Sequence, residues 1–122
     1  MIRHRSTSLT TSPEFERVYR KGSVSRGRLL SVHVLPNPSG SIPRLGLSVS
    51  KKVGSAVKRN TVRRRLKEIF RSSLNRLPGN LDFVISARPA SAEATFEELS
   101  EEFQRLLAKL TKDVVTREPD GS

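Results

Sequence analysis

The apolar positions of the chain change period several times, and each change marks an element. Phe15, Val18 and Tyr19 fall at i, i+3 and i+4, one face of a helix. Ser12 is a good N-cap, Pro13 suits the first helical position, and Glu14 favours the positive end of the dipole. Gly22 is placed to end the turn, so the spacing predicts a short helix over 12–22. Residues 28–36 then alternate. Leu30, Val32 and Val34 point one way; Ser31, His33 and Leu35 point the other, as in a half-buried strand. A Pro/Ser/Gly/Asn-rich turn from Pro36 to Pro43 follows. Residues 44–50 alternate again, with Leu45, Leu47 and Val49 on one face and Gly46, Ser48 and Ser50 on the other. Two strands joined by a turn predict an antiparallel hairpin.

The period returns to that of a helix over residues 56–77, where Val62, Leu66, Ile69, Phe70 and Leu77 form one stripe. Pro78-Gly79-Asn80 stops it. Asp82–Ala87 reads as a further strand, and the run Phe83, Val84, Ile85 implies burial on both faces. The strands flanking the long helix are expected to be near-parallel, joined by a crossover. After the break at Pro89-Ala90-Ser91, Thr95 and Glu98 form a capping box. Behind it Phe96, Leu99, Phe103, Leu106, Leu107 and Leu110 make a last helical stripe. Glu97, Glu98, Glu101 and Glu102 are assigned to that helix's solvated side. The order describes an α+β sandwich, helices on one sheet. The length suits one domain over 1–122, with an ordered core over about 6–112. Met1–Thr10 and Thr116–Ser122 lack apolar periodicity and are expected to be flexible.

Charge changes this picture most. Lys and Arg number 23 against 12 Asp and Glu, a formal +11. Such an excess opposes compaction, so a polyanionic partner is the natural explanation; an anionic membrane surface is the other candidate. No apolar run approaches the roughly 18–20 residues of a span. Arg3, His4 and Arg5 have no apolar stretch behind them, so no secretory signal is expected. The absence of cysteine removes disulfides, thiolate metal sites and cysteine nucleophiles, and fits a cytoplasmic protein.

The excess is concentrated. Nine basic residues lie between Lys51 and Arg71: Lys51, Lys52, Lys58, Arg59, Arg63, Arg64, Arg65, Lys67 and Arg71, opposed only by Glu68. At about 100° per residue, Asn60, Arg63, Arg64, Lys67 and Arg71 cluster almost opposite the apolar stripe. Arg59 falls near its edge, where a long stem can swing clear. Gly54 permits a tight turn ahead of the helix, whose N-terminal N–H groups favour phosphate. Arginine adds a planar fork for phosphate and Asn60 a directional amide. A solvated basic face is the bland alternative. The density and the single acid favour nucleic acid, without distinguishing DNA from RNA.

The segment Leu47-Ser-Val-Ser-Lys-Lys-Val-Gly-Ser-Ala-Val-Lys-Arg-Asn60, followed by Arg63-Arg64 and Lys67, resembles the signature of the bacterial ribonuclease P protein family. Phe15-x-x-Val18-Tyr19-x-x-Gly22 and Ala87-Arg88-Pro89-Ala90 extend the resemblance over residues 6 to 110. Thr61 departs from it, where the family usually carries a longer, often basic side chain. The resemblance implies the order αβββαβα, a four-stranded sheet with a left-handed βαβ crossover, as in one ribosomal protein domain. A short extra strand is then expected around Ser23–Arg26. It implies the catalytic RNA of ribonuclease P as partner, contacted through Lys51, Lys52, Lys58, Arg59, Asn60, Arg63, Arg64, Lys67 and Arg71. It implies a second surface for the 5′ leader of precursor tRNA: Phe15, Tyr19, His33, Ser48, Ser50 and Arg88. Magnesium ions held mainly by RNA would carry the chemistry, with none bound tightly by the protein alone. No membrane and no small-molecule substrate is implied.

The residues themselves do not suggest a protein nuclease. Two-metal hydrolysis needs clustered carboxylates, and Asp82 stands alone. A histidine mechanism usually needs two placed bases, and His4 lies in the N-terminal tail. Two other readings stay open: a structural, ribosomal-type RNA-binding protein, and an architectural DNA-binding protein. Phe15 and Val18 also have a simpler role, stapling the first helix to the sheet.

Overall fold

A computed structural model describes residues 12–37, 42–77 and 80–117; side chains are described for 13–37, 42–77 and 80–110. Residues 1–11 and 118–122, the middle of the Pro36–Pro43 turn, and Pro78-Gly79 lie outside these residues, while Thr116 and Arg117 of the expected C-terminal tail belong to the last helix. The elements run α1 (Ser12–Lys21), β1 (Ser23–Arg26), β2 (Leu30–Pro36), β3 (Arg44–Val49), α2 (Ala56–Ser73), β4 (Leu81–Ala87) and α3 (Phe96–Arg117). The short strand implied by the family resemblance is present as β1. The long helix ends earlier than its stripe suggests. A 3₁₀ turn at Leu74–Arg76 follows it, and Leu77 is already extended.

One sequence expectation fails. Strands β2 and β3 do not form a hairpin: the sheet order is β1-β2-β4-β3. Strand β4 inserts between them, antiparallel to β2 and parallel to β3. The reason lies in β4 itself. Leu81 to Ile85 are buried without interruption, so this strand needs cover on both faces and a neighbour on each side. A turn between two strands says nothing about a later strand entering from elsewhere. The true hairpin is β1–β2, closed by Gly27 N–H donating to Leu30 O at 2.8 Å. The parallel relation expected across α2 is present as β3 and β4.

One face of the sheet carries the main core. Leu30, Val32, Val34, Phe83 and Ile85 meet Val62, Leu66, Ile69 and Phe70 of α2 and Leu99, Phe103 and Leu106 of α3. The capping box holds: Thr95 N–H bonds Glu98 Oε1 at 2.9 Å, and Glu98 N–H bonds Thr95 Oγ1 at 3.1 Å.

Glu102 is a second correction. It is not solvated but 5% exposed. Its Oε2 accepts from Leu29 N–H at 2.7 Å and Leu30 N–H at 2.8 Å, while Oε1 meets Arg105. A buried carboxylate persists only with such partners. The approach also needs Gly27, where an added Cβ would sit 2.4 Å from Oε2.

Among the described residues, the other face is covered only by α1. Val18 and Val84 form a small buried cluster there, with Phe15 and Leu35 packed against it. An ion network fixes the helix to the sheet. Asp82 accepts Arg44 Nε at 3.0 Å and Nη2 at 2.9 Å, and also Arg17 Nη2 at 3.2 Å and Asn37 Nδ2 at 3.3 Å. Arg44 Nη1 reaches Glu14 at 3.1 Å. The hydrogen bond to Asp82 raises the Arg44 pKa further above its already high ordinary value.

Candidate nucleic-acid interface

The chain between β3 and α2 turns twice to aim the basic helix. Ser50 Oγ accepts Lys52 N–H and caps a 3₁₀ turn over Lys51–Val53. Gly54 follows with φ +147°, the left-handed region that favours glycine. Ser55 then caps α2 through Lys58 N–H. Arg59 is half-buried and its Nε donates to Gly54 O at 3.2 Å. Its guanidinium thus holds the turn, which explains its place at the edge of the apolar stripe.

Asn60, Arg64, Lys67 and Arg71 are exposed, and Arg63 is half-exposed. Arg63 Nη1 donates to Asn60 Oδ1 at 3.1 Å, laying the guanidinium along the helix surface. Lys58 pairs with Glu93, and Arg71 with Glu68, both at the surface. Exposed pairs are worth about 1 kcal/mol or less and yield readily to phosphate. Arg65 belongs to the fold instead: its Nη1 donates to Ala94 O at 2.9 Å. Lys51 and Lys52 are exposed beside the helix start.

The open sheet face forms a separate surface. Strand register sets its rows. Val24, His33, Val84 and Gly46 form one; Arg26, Ser31, Ser86 and Ser48 form the next. Phe15 lies over the first row, because Gly46 has no side chain; a Cβ there would meet Phe15 Cζ at 2.7 Å. Tyr19 stands edge-on to His33, ring centroids 4.7 Å apart, and its hydroxyl lies 3.0 Å from Ser86 Oγ. Tyr19 is 39% exposed. Ser50 and Arg88 are exposed just past the ends of β3 and β4. Phe15, Tyr19, His33 and Ser48 therefore share one face, although Phe15 also staples α1, and Ser50 and Arg88 lie past the strand ends. Ser31, Ser86 and Arg26 were not legible, since register alone brings them to Ser48.

Burial holds the His33 imidazole below its ordinary pKa; Arg26 acts the same way and a backbone bond to Val84 opposes them. The unfolded chain, titrating near 6.5, therefore takes up its proton first as pH falls. Stability from neutral His33 is complete above that value and drains away as pH drops towards the folded pKa. His33→Gln is expected to flatten this limb in urea unfolding from about pH 8 to about pH 5. Equal pH slopes in both proteins would contradict it.

The family model described as Ribonuclease P matches residues 4–111. The chain belongs to the ribonuclease P protein family. It is 37% identical over 101 residues to the ribonuclease P protein component of Bacillus pumilus, covering 83% of this chain and 85% of that one. It is 40% identical over 108 residues to that of Caldanaerobacter subterraneus, covering 88% and 92%. The RNase P protein of Staphylococcus aureus superposes with TM-score 0.80 at 29% identity, covering 86% of this chain and 97% of that one. That of Thermotoga maritima gives 0.75 at 26%, covering 84% and 96%. The four-stranded αβββαβα fold is therefore that of ribonuclease P proteins. The chain is a subunit of the ribonuclease P ribonucleoprotein, an endoribonuclease that processes tRNA 5′ ends. Its partners are, in general terms, ribonuclease P RNA and precursor tRNA. Among the described residues no helix is long and apolar enough to cross a membrane.

Proposed function

We propose that the two surfaces divide the work: the basic face of α2 holds the catalytic RNA, and the open sheet face receives the single-stranded 5′ leader of precursor tRNA. The separation of the two surfaces carries this reading. Lys51, Lys52, Lys58, Asn60, Arg63, Arg64, Lys67 and Arg71 present donors without aromatic rings, which suits a phosphate backbone. Arg59 supports them from the turn. Tyr19, Phe15 and His33 offer ring faces and edges flanked by serine hydroxyls and Arg88, which suits unstacked bases. A structural RNA-binding protein has no use for the second surface.

Magnesium belongs, in this reading, to the RNA. Among the described residues no three His, Asp or Glu side chains group to hold a metal ion. Asp82 and Glu102 are already engaged by arginines and N–H groups. The chain's contribution is to bind and orient, in the cytoplasm where tRNA matures.

Reconstitution tests this. Added to a bacterial catalytic RNA at low magnesium, the protein should stimulate 5′ cleavage of precursor tRNA; no stimulation would favour the structural alternative. Phe15→Ala with Tyr19→Ala should weaken holoenzyme binding of precursor tRNA by about ten- to a hundred-fold, at about 1–3 kcal/mol per stacked base. Mature tRNA should bind as before. Equal losses for both would move the leader site elsewhere.

A further inference from the structure

The open sheet face is electrically lopsided. At one end Arg44 and Arg17 are tied to Asp82 and Glu14, so the row of Leu35, Asp82 and Arg44 carries little free charge. At the other end the β1–β2 turn presents Arg26 and Arg28, and Arg88 lies against it, its N–H donating to Leu29 O at 2.9 Å. All three are exposed, and none forms an ion pair among the described residues. The nearby carboxylate, Glu102, lies on the core side and is held by two backbone N–H groups and Arg105.

The turn is also fixed. Gly27 N–H closes it onto Leu30 O, and Glu102 accepts the Leu29 and Leu30 N–H groups from beneath. Arg26 and Arg28 are thus exposed side chains on a hydrogen-bonded mount. Arg26 shares its row with Ser31, Ser86 and Ser48, and its charge is felt at His33. The row connects it to the rings that would stack bases.

We propose that Arg26 and Arg28 bind leader phosphates, extending the leader track beyond Tyr19 and His33 to the β1 edge of the sheet. This rests on the reading of the open face as the leader surface. A strand crossing that face leaves its bases on Tyr19 and His33 and carries its backbone onto the unpaired arginines. In this proposal the arginines sit at the upstream end of that track, beyond the nucleotides next to the cleavage site. Arg26 and Arg28 therefore set how much affinity is gained from a longer leader, whatever its sequence.

The experiment compares holoenzyme affinity for precursor tRNAs with leaders of about two and about ten nucleotides, bracketing the span of a single-strand groove. The wild-type holoenzyme should bind the longer leader more tightly. Arg26→Ala with Arg28→Ala should reduce that gain by about ten-fold and make it less salt-dependent, leaving the short-leader affinity in place. Arg26→Lys with Arg28→Lys should keep most of the gain. If the alanine pair fails to fold, Arg26→Gln with Arg28→Gln makes the same comparison. An equal loss for both leaders, or weaker binding of the catalytic RNA itself, overturns the proposal. If the wild type gains nothing from a longer leader, the leader reading itself fails. If it gains and neither neutral variant alters the gain, only the role of Arg26 and Arg28 fails.

Discussion

Asp82→Asn is expected to destabilise the fold by about 3 kcal/mol, lowering the Tm on the order of 10 °C. The carboxylate is 2% exposed and receives two bonds from Arg44 and one from Arg17. An amide keeps one acceptor oxygen but points two donors at arginines. Arg44 and Arg17 retain some water, with 26% and 40% of their side chains exposed, so the cost falls at the low end for a broken buried pair. The damage is local. Asp82 is the anchor between α1 and the sheet, whereas α2 packs on the opposite face. The variant should therefore lose leader affinity, through loosening of Phe15 and Tyr19, at temperatures where the catalytic RNA still binds. Calorimetry with the two binding titrations checks this. An unchanged Tm would show that the network contributes nothing to the fold.

The second large effect is on RNA affinity. Arg63→Ala with Arg64→Ala should weaken catalytic-RNA binding by roughly a hundred-fold, at about 1.5–3 kcal/mol for each charge-assisted contact. The slope of log affinity against log salt should fall by about one for each phosphate contact removed. Stability should barely change. Arg64 is exposed, and Arg63, half-exposed, donates to its helix neighbour Asn60. Titration at several salt concentrations separates the cases: an unchanged slope places the RNA contact on another surface.

Legibility differed between features. The α2 stripe and its opposed basic face were readable because helical period alone fixes both. The capping box was readable because it is local. Strand β1 was not: Ser23 to Arg26 contain one apolar residue, Val24, and only the family resemblance implied a strand. The β2–β3 hairpin was misread because sheet order depends on which strand needs two neighbours. Glu102 was misread although a signal existed. It lies three residues after Leu99 and four before Leu106, on the buried stripe, where a carboxylate requires an explanation. The candidate site shows the same division. The α2 residues could be placed by angle, whereas the Arg26–Ser31–Ser86–Ser48 row exists only once β4 has joined β2 to β3.

The carboxylate beneath the β1–β2 turn also bears on how the chain matures. Its bond to Leu29 spans 73 residues, and β4, which completes β2, comes nearly as late. During synthesis the first hairpin emerges early yet has neither its central neighbour nor its latch. Contacts so distant in sequence form slowly, because the intervening loop must close first. The arginines of that turn therefore reach their final mount only when α3 docks, so a nascent or truncated chain would carry its positive charge without the geometry that gives it direction.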